Sequence, residues 1–438
     1  MPRPPVRIVH LGLGAFHRAH QAWYTAHAGN AAEWGIAAFT GRRPAMAEVL
    51  SGQDGLYTVI ERSSTADQYE IVTSLAVALD GAHIWRLAET FASPDVAVVT
   101  ITVTEAGYRL RADGSPDPGD AALALDLAAL HGAASSQAQV GGLGLTTMLG
   151  RLLAGLEARR RASGPGIAVV PCDNLPANGS LMARGTIEAA EFVSPGLAEW
   201  IAQNVSFVST SVDRITPRTT AADAELLNAQ QDWIDAAPVV TEPFRDWVLS
   251  GSFPAGRPAW EDAGARFVDD IEPWERRKLW LLNGAHTLLS FGGLLRGHET
   301  IAQAIGDPAL SAKVEEFWDE ASAQLPPGLG VDSYRGALRA RFRNSRIEHR
   351  LAQIAEDGTR KLALRIVPVA EAELKAARLP KGAAFAIACW IAHGPDRPES
   401  LSAAIAAISP YLAARQAFVS EVGEYLSGWP PGLMGCPI

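Results

Sequence analysis

Lys278, Asn283 and His286 stand five and then three residues apart in the apolar run Lys278-Leu-Trp-Leu-Leu-Asn283-Gly-Ala-His286. On an α-helix, at about 100° per residue, the three fall within an arc of roughly 140°. An amine whose pKa is lowered toward neutrality by burial can act as a general base, and Trp280, Leu281 and Leu282 could supply that apolar setting. Asn283 could donate a hydrogen bond to a developing alkoxide, and His286 could hold the same oxygen. The pattern equally suits a half-buried helix with a snorkelling lysine and a satisfied core histidine. The segment alone leaves both readings open.

Chemistry of that kind needs a scaffold, and the 438 residues suffice for two or three domains with a large core. A net charge of −10 and a pI near 5.5 give no nucleic-acid footprint. Cys172, Cys389 and Cys436, three in number and far apart, argue against a disulfide framework and a Cys-rich zinc site. No apolar run approaches the roughly 18 residues of a membrane helix. The opening Met1-Pro-Arg-Pro-Pro leads straight into a strand pattern without a signal-peptide core. The expectation is a cytoplasmic protein, monomer or small homo-oligomer, with small-molecule partners and neither nucleic acid nor membrane among them.

Val6-Arg-Ile-Val-His-Leu11 reads as a buried strand, followed by Gly12-Leu-Gly14-Ala15-Phe16-His17 and a helix through Ala28. Two glycines after a strand permit a tight turn and a close backbone approach to a pyrophosphate, so Gly12, Gly14, Ala15 and Phe16 are candidate cofactor residues. The third glycine of the usual fingerprint is replaced by His17. The second strand, Gly35–Phe39, ends in Thr40-Gly-Arg42-Arg43, without the acid that meets a free ribose 2′-hydroxyl. Arg42 and Arg43 could face a 2′-phosphate, lie beside the adenine, or form a solvated turn. On these residues NAD against NADP stays open.

Asp95-Val-Ala-Val-Val-Thr-Ile-Thr-Val-Thr104 has the β-branched density of a buried parallel strand and delivers Thr104 and Glu105 beyond its end. Residues 111–120 read as a surface loop, and residues 145–161 as a long helix. Ile167–Pro171 is another buried strand, running into Cys172-Asp173-Asn174. Alternating strands and helices over about 210 residues predict a doubly wound sheet, whose ligands bind beyond the carboxyl ends of its strands. Glu105, Asp173 and Asn174 would sit there, although Asx residues beside Pro and Gly also form ordinary turns. From about Pro254 the pattern turns mostly helical, and Pro326-Pro-Gly-Leu-Gly and Trp429-Pro-Pro-Gly read as loops. The predicted architecture is α/β: a Rossmann-like doubly wound domain over residues 1–262, then a mainly α-helical domain over residues 263–438. The boundary is placed between Gly251 and Asp270, so that Lys278 opens the second domain.

The chain resembles the polyol-specific long-chain dehydrogenase/reductases, which include mannitol 2-dehydrogenase and fructuronate reductase types, over nearly its whole length. The likeness rests on Gly12-Leu-Gly14-Ala-Phe-His17, Thr102-Val-Thr-Glu105-Ala-Gly-Tyr108 and Pro171-Cys-Asp-Asn174-Leu-Pro-Ala-Asn178-Gly. Val212-Asp213-Arg214-Ile-Thr-Pro217, Glu242-Pro-Phe-Arg-Asp-Trp247 and Lys278-x4-Asn283-x2-His286 follow in the same order. The resemblance implies that Lys278 is the general acid/base and that Asn174 and Asn283 flank the reacting oxygen. It implies that His286 positions the substrate, Asp213 orients it, and Glu105 influences proton exchange near the lysine. It also implies a nicotinamide cofactor, NAD with NADP not excluded, and no metal. Asn178, Lys361 and His349 are expected on the substrate side, and Asp173 and Thr104 at the cofactor. No tyrosine has a lysine four residues on, which removes the short-chain dehydrogenase dyad.

Departures from the family pattern cluster on the substrate side, at Glu356 and Arg360 within Arg341–Lys361. A sugar-acid carboxylate would want a cation at the pocket end, and Lys361, Arg360 or Arg346 could provide one. The leading expectation is a mannitol/fructose type of polyol–ketose oxidoreductase, with D-mannonate/fructuronate oxidoreduction as the alternative. A phosphosugar dehydrogenase would require a phosphate-binding cluster. A catalytically silent nucleotide-binding regulator is the remote reading from outside enzymology.

Overall fold

The computed structural model describes residues 3–394 and 400–428; the Trp429 loop and Cys436 lie outside them. The chain divides between Ile271 and Glu272 into two units.

The first unit is built on a six-stranded parallel sheet: β1 (Val6–Leu11), β2 (Gly35–Phe39), β3 (Leu75–Leu79), β4 (Val98–Ile101), β5 (Ile167–Pro171) and β6 (Val205–Phe207). Their order across the sheet is β3-β2-β1-β4-β5-β6, so the winding reverses between β1 and β4, the switch point where dinucleotides bind. Register pairs Ile8 with Val98 and Leu11 with Ile101, so both strands release their chains side by side. Successive residues of a strand face opposite ways. Val9, Leu11, Phe39, Val99 and Val169 thus pack on one side against the helices Ile84–Ala92, Met148–Arg161 and Asn178–Val193. Ile8, Ile36, Ala38, Val98 and Val170 pack on the other against Trp23, Tyr24, Trp247 and Trp260.

The strands at Val6–Leu11, Gly35–Phe39 and Ile167–Pro171 coincide with the sequence reading. The fourth is shorter than its β-branched run, since the chain leaves the sheet after Ile101. The expected helix through Ala28 is two short helices, Ala15–Ala19 and Gln21–Ala26, broken at His20 (φ −118°, ψ −88°). Two three-stranded sheets also went unanticipated. One joins Tyr57–Arg62 to Asp67–Val72 and Val239–Thr241; the other joins Asp246–Ser250 to Ser209–Asp213 and Arg266–Phe267.

The second unit is helical, as its pattern predicted. Its centre is Ala285–Leu295, buried at every position except Leu294. Around it pack Ile301–Gly306, Pro308–Ser322, Leu351–Ala355 and Lys381–His393. Glu320 is buried where the Pro308–Ser322 helix meets the start of Lys381–His393. Its carboxyl accepts from the amides of Gly382 (2.6 Å) and Ala383 (3.0 Å). Burial raises its pKa from 4.5 to about 8. A carboxyl whose pKa rises on folding stabilises fully below about pH 4.5, and that contribution is lost as pH rises through about 8. Glu320→Gln should therefore leave the melting temperature little changed at pH 5 and raise it above wild type at pH 9. Parallel melting curves at the two pH values would reject this. Among the described residues no helix is long and apolar enough to cross a membrane.

Candidate active site

Leu11 releases the chain into Gly12 at φ +108°, a conformation that L side chains rarely adopt. A β-carbon there would lie 2.1 Å from the carbonyl oxygen of Thr102, at the end of β4. Thr102 closes the same contact by donating its hydroxyl to the Gly12 carbonyl at 2.9 Å. The amides of Gly12 and Leu13 both donate to Phe39 O at 2.9 Å, which ties the turn to the end of β2. These three strand ends surround a cavity of about 450 Å³, lined among others by Gly12, Thr40, Arg42, Thr102, Thr104 and Arg151. It lies at the switch point of the sheet, where the nucleotide was expected. Gly14 is extended and caps the short helix carrying Ala15 and Phe16, which lie outside the lining.

Arg151 was not singled out from the sequence, although an arginine among Leu149, Leu152, Leu153 and Leu156 was the available signal. Only 9 % exposed, it donates to Leu145 O at 3.1 Å, Gly41 O at 2.7 Å and Thr40 O at 3.3 Å. It thereby props the turn that presents Arg42. No carboxylate lines the cavity, and Arg42 is exposed with no ion-pair partner among the described residues. Arg42→Ala should accordingly weaken NADP more than NAD. Equal effects on dissociation constants measured by fluorescence titration would reject recognition of a 2′-phosphate by this residue.

Beyond β4 and β5 the polar residues divide between two tasks. Asp173, expected at the cofactor, lies outside the cavity lining and is 7 % exposed. Its carboxylate accepts from the Tyr108 hydroxyl and, at 2.7 Å, from the Leu175 amide. Burial raises its pKa, and burial first, then the charge and hydrogen bond of Asp173, hold the Tyr108 hydroxyl protonated, well above its ordinary range. Asn178, expected on the substrate side, is 1 % exposed and engaged by backbone. Its amide donates to Thr210 O at 3.1 Å and accepts from Thr210 N at 2.8 Å. An amide so enclosed fastens its loop to a neighbouring strand and has nothing to offer a ligand. Between these two clamps Asn174 is exposed, and Ala177 holds a left-handed turn at φ +48°. Glu105 is likewise exposed, on the turn after Thr104. Asp213 ends the strand Ser209–Asp213 in a buried position. Its neighbour Arg214 anchors that strand end through Ala19 O (2.6 Å), Glu242 O (3.1 Å) and Glu61 (2.8 Å).

In the helical unit the expected α-helical face is instead a π-helix over Lys278–Gly284, between the α-helices Glu272–Arg277 and Ala285–Leu295. Its i→i+5 pattern brings Lys278 and Asn283 onto successive turns of one side, nearer in projection than α geometry allows. Trp280, Leu281 and Leu282 are buried as expected, while Lys278 and Asn283 are half-buried. The wide turn is held from behind. Trp318 Nε1 donates to Leu281 O at 2.7 Å, and Thr287 Oγ1 to Asn283 O at 3.0 Å. A β-carbon on Gly284 would lie 2.5 Å from the Phe317 ring.

His286 follows on the α-helical side and is 8 % exposed. Its ring packs edge-on against His349 (4.8 Å) and tilted against Phe342 (4.9 Å). Burial first, then His349, Arg341 and Arg365, holds its pKa well below the usual histidine range. It is a neutral imidazole whose Nε2 has no hydrogen-bond partner. Lys361 turns its ammonium onto Ile354 O at 2.9 Å, and burial, then Arg365, lowers its pKa. Among the described residues, no group of three His, Cys, Asp or Glu side chains could hold a metal ion.

Residues 6–262 match the model of the mannitol dehydrogenase Rossmann domain, and residues 270–419 that of the mannitol dehydrogenase C-terminal domain. D-Mannonate oxidoreductase of Escherichia coli K12 is 34 % identical over 420 residues, covering 93 % of this chain and 83 % of that protein. Mannitol 2-dehydrogenase of Pseudomonas fluorescens, solved in a ternary complex with NAD and D-mannitol, superposes with a TM-score of 0.75 at 30 % identity, over 97 % of this chain and 92 % of that one. A substrate-free D-sorbitol dehydrogenase reaches a TM-score of 0.87 at 27 % identity, covering 97 % and 93 % of the respective chains.

Proposed function

The chain belongs to the mannitol dehydrogenase family, and from that premise we propose that it is an NAD-dependent dehydrogenase acting on a secondary hydroxyl of a linear polyhydroxy substrate. The mannitol–fructose pair is the reference reaction. The observation that carries this reading is the π-helical Lys278–Gly284, which sets an amine and a carboxamide on one side beside a buried neutral imidazole. When bound in the cavity around Gly12, the dinucleotide supplies the hydride acceptor.

The protein's share of the chemistry is the oxygen. In oxidation the Lys278 amine takes the hydroxyl proton; in reduction its ammonium returns one to the carbonyl oxygen. The Asn283 carboxamide donates to that oxygen as it gains alkoxide character, the role that family membership also gives Asn174. Such donors contribute about 3–4 kcal/mol each in comparable sites. His286, kept neutral by its burial, positions the substrate, the role that family membership gives it. Asp213 orients the polyol chain and Glu105 assists proton exchange. The reading places the enzyme in the cytoplasm, where the buried free thiols Cys172 and Cys389 stay reduced.

The test is a panel of mannitol, sorbitol, arabinitol, fructose, mannonate and fructuronate with NAD(H) and NADP(H), followed by nicotinamide absorbance. Turnover of at least one member supports the assignment; absence of turnover with every member and both cofactors overturns it.

A further inference from the structure

One half-buried cation of the helical unit has no anion to answer it among the described residues. Arg365 ends the helix Gly358–Arg365, and burial alone pulls its pKa down to about 10. Nη1 donates to the Thr287 hydroxyl at 3.2 Å, and no acceptor for its other donors is found among the described residues.

Other deeply placed arginines of this protein are treated differently. Arg159 has four carbonyl acceptors, on Pro165, Phe91, Ser93 and Val96. Arg151 has three, and Arg214 has two carbonyls and the carboxylate of Glu61. Nor are the idle nitrogens of Arg365 sealed in, for they are absent from the buried polar atoms without a partner. The guanidinium is thus fixed by its surroundings while keeping accessible donors.

Other cations gather around it, although the carboxylates of Asp357 and Glu356 also bear on Lys361. Lys361 lies one turn earlier on the same face, its pKa lowered by burial and by Arg365, and Arg341 and Arg365 both bear on His286. Thr287, which Arg365 contacts, follows His286 directly and hydrogen-bonds Asn283. The fork therefore stands one side chain away from the segment that handles the substrate.

We propose that Arg365, with Lys361 beside it, receives the carboxylate of a sugar acid, so that the substrate is an aldonate and its keto partner in preference to a neutral polyol. A planar fork with free N–H groups matches a carboxylate in two parallel hydrogen bonds, which a polyol hydroxyl cannot reproduce. The proposal rests on the dehydrogenase reading above and leaves its chemistry unchanged. The hydroxyl-bearing carbon gives its hydride to the nicotinamide, the hydroxyl proton goes to Lys278, and the carboxylate takes no part in bond making. A sugar phosphate is the other anion that such a pair of cations could meet.

The experiment compares kcat/KM for six-carbon aldonates, the matching neutral polyols and the matching sugar phosphates, in wild type, Arg365→Gln and Arg365→Lys. Wild type should favour the aldonate over the polyol by at least about tenfold, a difference of about 1.4 kcal/mol. Arg365→Gln should collapse that ratio chiefly through a higher KM for the acid, and Arg365→Lys should restore part of it. A wild-type preference for the polyol or the phosphate would overturn the proposal without any variant. So would an acid-to-polyol ratio unchanged by Arg365→Gln in protein with a normal melting curve. Failure to turn over any compound would instead remove the dehydrogenase reading itself, and the proposal with it.

Discussion

Replacing Lys278 with alanine lowers turnover by about two to four orders of magnitude, the range over which positioned proton transfer accelerates a reaction. Nucleotide affinity should hardly change, because the cavity around Gly12 and Arg42 is lined wholly by first-unit residues. Since the amine acts on an oxygen whose charge develops in the transition state, kcat and kcat/KM should fall together. Steady-state kinetics in both directions, with NADH titration by fluorescence, separates these quantities. Near-normal turnover, or a loss confined to KM, would take the proton-handling role away from Lys278.

The second large effect is expected at the glycine turn. Gly12→Ala should weaken dinucleotide binding at least about tenfold and lower the melting temperature. The backbone at φ +108° costs a side chain roughly 1–2 kcal/mol before contacts are counted. The added carbon would also meet the Thr102 carbonyl at 2.1 Å, and that atom belongs to backbone leaving the neighbouring strand. Gly14→Ala is the matched comparison. Nothing but Gly12 O, at 3.6 Å, stands near its added carbon, so the fold should accept it, and any loss of affinity there reports on the approach of the ligand. Equal and unchanged nucleotide binding in both variants would remove this turn from the cofactor site.

Much of this was legible in the sequence because buried parallel strands announce themselves. Val6–Leu11, Gly35–Phe39 and Ile167–Pro171 are apolar runs closed by turn residues, and each became the strand it suggested. The residues beyond those strands were harder to read. Asp173 and Asn178 sit where ligand-facing residues sit, yet they clamp their own loop. Polarity and position are the same in both cases, and only the partner distinguishes them. Arg365 was missed for the converse reason: on a short helix beside Lys361 it looks like a solvated cation until its partial burial is known. The π-helix was illegible too, since a wide turn through Leu, Trp and Leu carries the composition of an α-helix.

That wide turn separates two demands that usually coincide. An α-helix of unchanged length through the same stretch would restore regular bonding. It would also rotate Asn283 and His286 by about 100° relative to Lys278. Backbone bonding would lose nothing by it, and the reaction would lose its alignment. The surplus residue is thus a spacer whose function is angular: it sets the bearing of one side chain from another, much as a shim sets the seat of a bearing without carrying the load.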